Sequence, residues 1–285
     1  MTRFLKPATS LEQQIALLRQ RGLHVPDEKK AKHYLDYIGY YRLSAYMKPF
    51  QTGTEHSFRV GTAFDDVLDL YVFDRHLRLH LMDGLERIEI ALRSVMNNCL
   101  SSQFGAHWYL ERGIFNSALD YPEMLERLRS EMGYQSRRKR ETFISHYLNT
   151  YTEPPDPPGW MMIQTLSMGS VSRMFEDLQT EHQKPIALMF GMDHRVLISV
   201  LHSLAYVRNL CAHHSRLWNR EFRIQPMIPK QLAKTFKGPS NRLGIVLILM
   251  EMILLQISPE TAWKEGLDTL LQKHPKIHKK SMGLT

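Results

Sequence analysis

Apolar residues recur along this chain at spacings of three and four, and almost nowhere in strict alternation. That periodicity marks amphipathic helices. Ser10-Leu-Glu-Gln13 has the form of a capping box, after which Leu11, Ile15 and Leu18 share one helical face and Gly22 supplies a stop. Pro26-Asp27 opens a second helix, which Gly39 interrupts. The aromatic and basic stretch Tyr40-Tyr41-Arg42-Leu43-Ser44-Ala45-Tyr46 follows and ends before Pro49. Residues 51–62 read as a loop that admits a short extended piece. A long helix is expected from Asp74 to Leu100, with Leu77, Leu81, Gly84, Ile88, Leu92, Val95 and Cys99 forming one apolar seam. Glu86, Glu89 and Arg93 make a second stripe beside it.

Residues 120–150 hold one or two further helices around the basic run Arg137-Arg138-Lys139-Arg140. Pro154-Pro-Asp-Pro-Pro158-Gly159 is a firm break, and short helices continue to about residue 190. Asp193 then caps a strong helix. Leu197, Leu201, Leu204, Arg208 and Cys211 lie on one of its faces, and His202, Tyr206, Asn209 and His213 on another. Residues 219–240 form a proline-containing connection. Two closing helices are expected over 241–257 and 259–272, the second begun by Ser258-Pro259. The segment from His274 to Lys280 reads as a loose basic tail. The pattern predicts an all-α protein: an N-terminal helical cap over residues 1–60, a helical bundle over 61–272 and a tail over 273–285.

Composition adds three constraints. With 43% apolar and 23% charged residues in 285, the chain can bury a real core. The formal charge of +8 suits a polyanionic partner, of which nucleic acid is the commonest, although an inert basic surface fits equally. Two cysteines, Cys99 and Cys211, both within helical patterns, read as small core residues in a reducing, cytoplasmic setting. MTRFLKPATS lacks the apolar run of a signal peptide. Leu243–Ile257, the most apolar stretch, is short for a bilayer and carries Glu251, so no membrane partner is expected.

Arg208 is the anomaly. It falls on a stripe otherwise built of Leu201, Leu204 and Cys211, and an unpaired charge on a core stripe is costly. It needs an acidic partner, an anionic ligand or a crevice. Glu86 and Glu89 are the candidate partners, and a structural ion pair between helices is one adequate explanation. His213 follows five positions later, so on an ideal helix the two side chains diverge by about 140° and can only flank a groove. Asn209 and His213, four apart, share a face. A guanidinium, a titratable imidazole and an amide donor together suit a phosphodiester. The bare Arg-x4-His spacing is weak, since Arg19/His24 and Arg75/His80 repeat it.

Context makes it specific. Ala205-Tyr-Val-Arg208-Asn209-Leu-Cys-Ala-His213-His214-Ser-Arg216-Leu-Trp218-Asn219-Arg220 resembles the signature of the AbiD/AbiF-type abortive infection family, within the HEPN superfamily of helical RNases. Three more blocks resemble that family in the same order: Tyr37 to Tyr46, Leu85 to Ser94, and Trp160 to Ser172, with Met168 standing where an aromatic residue is expected. The resemblance covers about residues 10–230. It implies a HEPN-like helical fold, with Arg208 and His213 as the catalytic pair and Asn209 at the polar position beside them; read from the residues themselves, Glu86, Glu89, Arg93, Tyr206 and His214 are the candidate supporting residues, with ordinary packing as the other reading of Tyr206. It implies a metal-independent endoribonuclease of a bacterial phage-defence or toxin system, needing no cofactor. In that chemistry the RNA 2′-hydroxyl attacks the adjacent phosphate and leaves a 2′,3′-cyclic phosphate. It further implies a homodimer and admits a structured non-coding RNA regulator. The alternatives are an RNA-binding module that does not cleave and a nucleotidyl-transferring HEPN toxin.

Other basic residues are candidate RNA contacts: Arg42, the run Arg137, Arg138, Lys139 and Arg140, and Arg216 and Arg220 beyond His213. Each has a bland counterpart as a solvated or structural residue. Tyr40 and Tyr41 read first as core or interface anchors. No HExxH, Walker loop, Rossmann glycine pattern or GxSxG occurs, so no metal site is expected.

Overall fold

The computed structural model describes residues 7–136, 138 and 140–284. It is all-α, as the periodicity predicts. Its helices are α1 (Leu11–Gln20), α2 (Glu28–Ile38), α3 (Tyr40–Met47), α4 (Phe64–Phe104), α5 (Tyr121–Glu131), α6 (Thr142–Thr150), α7 (Gly159–Thr165), α8 (Met168–Asp177), α9 (Thr180–Met189), α10 (His194–Ala212), α11 (Leu243–Ile257) and α12 (Trp263–Lys273). The extended piece in the 51–62 loop is a minimal antiparallel hairpin, β1 (Gln51–Thr52) with β2 (Ser57–Phe58). Among the described residues no helix is long and apolar enough to cross a membrane.

The chain divides into two compact units, Met1–Arg78 with Leu270–Ile277, and Leu79–Thr269 with His278–Thr285. The first unit therefore extends beyond residue 60. Its local geometry follows the sequence closely. Ser10 Oγ accepts the Gln13 N–H while Gln13 Oε1 accepts the Ser10 N–H, completing the capping box on α1. Asp27 caps α2, accepting the Lys30 N–H at 2.9 Å. Gly39, at φ +89°, takes a conformation that a Cβ would strain, and this separates α2 from α3. The buried Tyr46, Asp74 and Arg78 form one polar cluster, with the Tyr46 hydroxyl donating to Asp74 at 2.8 Å and Arg78 paired to the same carboxylate.

Four expectations are corrected. The long helix begins at Phe64, ten residues early, because Val67, Leu68, Leu70 and Phe73 continue its buried face. Its seam also drifts: Leu81, Leu85, Ile88, Leu92, Met96 and Leu100 are buried, whereas Val95 and Cys99 are half-buried. A straight helix rotates about 20° per heptad against a strict seven-residue repeat, which moves the stripe to successive spacings of four. The tail is not loose. His274 is buried with its Nδ1 2.8 Å from Asp69 Oδ1, and Met282 is 1% exposed. Further, α12 starts at Trp263 rather than Pro259, since the Thr261 N–H turns back to the Ser258 carbonyl.

In the second unit the core lies around α10, which packs on α8, α9 and α11. Leu197, Val200, Leu201, Leu204 and Val207 form its buried face. Two glycines permit close approaches elsewhere. Gly84 leaves room for Trp263, whose ring stacks on His80. Gly159 opens α7 directly over the fully buried Trp108, and a Cβ there would sit 2.1 Å from the indole nitrogen. Gly159→Ala is therefore expected to cost roughly 1–3 kcal/mol through overpacking. Gly113→Ala, where a Cβ meets nothing within 4 Å, should stay within about 0.5 kcal/mol. Thermal melts of the two variants check the contrast.

Candidate functional site

The site is built at the C-terminal end of α10. Asp193 fixes the other end, its carboxylate accepting the Arg195 N–H at 3.0 Å. At the C-terminus the helix closes with the His213 N–H on the Asn209 carbonyl. The His214 N–H then returns to Cys211 and the Ser215 N–H to Leu210 at 2.8 Å. This is a Schellman closure in which His214, at φ +55°, occupies the left-handed position that glycine usually fills. The closure leaves His213 exposed, as the helix's last capping residue.

Arg208 sits at the rim of the buried stripe. Its side chain is 36% exposed, and its Nε lies 3.9 Å from Glu89 Oε2 on α4. That separation places the charges together without a hydrogen bond, and Nε is shut from solvent with no hydrogen-bond partner among the described residues. Glu89 is already taken: Arg93 Nη2 donates to its Oε1 and also to the Leu166 carbonyl at 2.7 Å. Two guanidiniums thus share one carboxylate, leaving a net positive charge beside α10. Glu86, the other candidate partner, is exposed on the same helix and is corrected to a surface residue.

The second face of α10 borders a groove. His202, Tyr206 and Asn209 face Ser172, Arg173 and Glu176 of α8 around a space of 430 Å³. The position of α8 follows from its corner with α7. Ser167 caps α8, accepting the Ser170 N–H, while its own N–H donates to Glu131 at 2.9 Å. Arg93, holding the Leu166 carbonyl, pins the same corner from α4. Tyr206 also packs edge-on against Phe222.

The family model for Abi-like proteins matches residues 33–219, well over half of the chain. The chain belongs to the Abi-like protein family. Comparison with curated proteins and with solved structures gives no match.

The matched span of this Abi-like protein takes in α4, α8, α10 and the His213-His214 turn. Of the residues singled out from sequence, the fold brings Glu89, Arg93 and Arg208 together and places Asn209 and Tyr206 on one groove. Arg216 and Arg220 follow as half-buried residues, with Arg220 Nη1 donating to the Arg216 carbonyl at 3.4 Å. Arg42 lies half-buried on α3 in the first unit. Arg137 and Lys139 lie outside the described residues. Arg138 is exposed, whereas Arg140 is committed to its own turn, donating to the carbonyls of Gly133 and Tyr134. Tyr40 accepts from Arg21 and is structural as expected, but Tyr41 is 91% exposed and is no core anchor. Among the described residues no three His, Cys, Asp or Glu side chains converge on a possible metal position.

Sequence reasoning missed Arg173 and Glu176. They lie on the solvent side of a short amphipathic helix, where periodicity predicts only polarity. The shared carboxylate separates the two acidic candidates. Glu89→Ala is expected to destabilise the protein by roughly 2 kcal/mol, because it strips two guanidiniums of their counter-charge. Glu86→Ala should stay within about 0.5 kcal/mol. Denaturant titration of both variants is the check; equal costs would refute the assignment.

Proposed function

We propose that this Abi-like protein is a metal-independent endoribonuclease of an abortive-infection, phage-defence system. The observation that carries the reading is the guanidinium of Arg208, which has only a shared claim on Glu89, next along α10 to the groove residue Asn209 and one helical closure from the exposed His213. A carboxylate shared with Arg93 holds Arg208 in place without neutralising the pair. A site with surplus positive charge and a titratable group at its edge suits an anion that carries a transferable proton nearby. RNA meets both requirements, and the +8 chain favours it.

In the proposed reaction the 2′-hydroxyl oxygen bonds to phosphorus and the bond from phosphorus to the 5′ oxygen breaks. The 2′ proton leaves to a base, and the departing 5′ oxygen gains one. The products are a 2′,3′-cyclic phosphate and a 5′-hydroxyl. His213 moves protons, Arg208 stabilises charge on the pentacoordinate phosphorus, and Asn209 orients an oxygen. Two proton transfers need one imidazole acting twice or two imidazoles. A homodimer with its α10 helices facing across a two-fold axis supplies the second.

The test is RNA cleavage in excess EDTA by the wild type, Arg208→Ala and His213→Ala, with end-group analysis. The expected wild-type activity survives EDTA and leaves cyclic phosphate ends. His213→Ala should lower the rate by about 10²–10⁴, and Arg208→Ala by about 10²–10³. Activity that dies in EDTA, or that both variants retain, refutes the reading. Retained RNA binding with no cleavage by the wild type would favour a binding module instead.

A further inference from the structure

A second polar pocket lies across the ridge of α8 from the groove at Asn209. It occupies 440 Å³, within the range of roughly 300–1,000 Å³ typical of small-ligand sites. Arg173 and Glu176 line both spaces, so the two share a wall. The far side of the second pocket comes from α5 and the segment before it, with Leu119 and Met124 as apolar walls and Arg127 as the charged one.

Three polar atoms here are shut from solvent with no hydrogen-bond partner among the described residues: Arg127 Nε, Arg127 Nη2 and Asp177 Oδ2. Leaving such groups unsatisfied is costly, so three on one pocket call for an explanation. Asp177 is firmly placed. Its carbonyl accepts both the backbone N–H and the side-chain amide of Asn116, at 2.8 and 3.1 Å. Burial pushes its carboxyl above the usual carboxylate range, while Arg127 and Arg173 pull the other way. Hydrogen-bond donors from a ligand would relieve that burial cost.

The mixture of charges limits the ligand. A phosphate would suit the two arginines, but Asp120, Glu123, Glu176 and Asp177 all line the same space and repel it. A simple cation would suit the carboxylates but not Arg127 lying among them. A neutral group with a pair of donors adjoining a pair of acceptors satisfies both. Guanine is such a group: N1–H and the exocyclic amino group stand side by side on its Watson–Crick edge, and O6 and N7 side by side on the adjoining Hoogsteen edge. A carboxylate takes the first pair and a guanidinium the second. Adenine, cytosine and uracil do not present two neighbouring donors.

We infer that this pocket receives a guanine base of the bound RNA, the Asp177 and Arg127 side chains turning toward it, with Asp177 accepting from its N1–H and amino group and Arg127 donating to O6 and N7. The inference rests on the RNA-cleavage reading, since it takes the strand to run from the face of Asn209 over Arg173. It gives the site a base preference that the Arg208 and His213 segment alone does not supply.

The test uses the His213→Ala protein, silenced for cleavage, and fluorescence anisotropy of short labelled uridine-rich RNAs. Each carries one guanosine, inosine or adenosine at the variable position. Guanosine should bind at least roughly tenfold tighter than adenosine, with inosine, which lacks the amino group, between them. In a second protein carrying Asp177→Asn as well, the guanosine advantage should collapse while adenosine affinity is unchanged. Equal affinity for the three RNAs, no binding to any, or a guanosine advantage that survives Asp177→Asn overturns the inference. The inosine comparison needs no change in the pocket, so it decides even where Asp177→Asn fails to fold. Cleavage by the wild type without base preference would refute this pocket alone; guanosine preference without cleavage would refute the nuclease reading alone.

Discussion

The second unit turns on one carboxylate. Glu89 faces two guanidiniums, one from its own helix at Arg93 and one from α10 at Arg208. Arg93 extends the arrangement to the Leu166 carbonyl and so to the corner from which α8 departs. Three helices that carry candidate functional residues are thereby referenced to a single anionic group. In a partly desolvated setting, such a group holds its partners more tightly than it would in water. It also leaves the sum of charges unbalanced, which is what an anionic ligand requires.

The helices themselves were legible because their signals are local. The capping box at Ser10 and Gln13, the Asp27 and Asp193 caps and the Gly39 break depend on a few neighbouring residues, and each formed as read. Arg208 was legible for a different reason: a charge on a leucine stripe breaks the helix period, and the break implies a partner. Which partner was not legible. Glu86 and Glu89 are three apart on one stripe, and only the rotation of α4 against α10 decides that Glu89 is the one within reach.

The rest required packing. The seam of α4 slips from Val95 and Cys99 to Met96 and Leu100 because helical periodicity accumulates over many turns, and no short window records that drift. The tail looked loose from its lysines, yet His274 and Met282 are buried. Arg127 and Asp177 lie far apart in sequence, and neither breaks a local rule. Their shared pocket depends on the chain before α5 running beside the end of α8, where Asn116 bonds to Asp177 and Gln179 to Ile114.

The turn after α10 bears on how this protein tolerates change. A non-glycine residue in the left-handed conformation costs about 1 kcal/mol, and His214 carries that burden at φ +55°. Backbone conformation alone would favour glycine or asparagine there. A β-branched residue would fit worst, and forcing one in would reopen the closure that sets where His213 ends the helix.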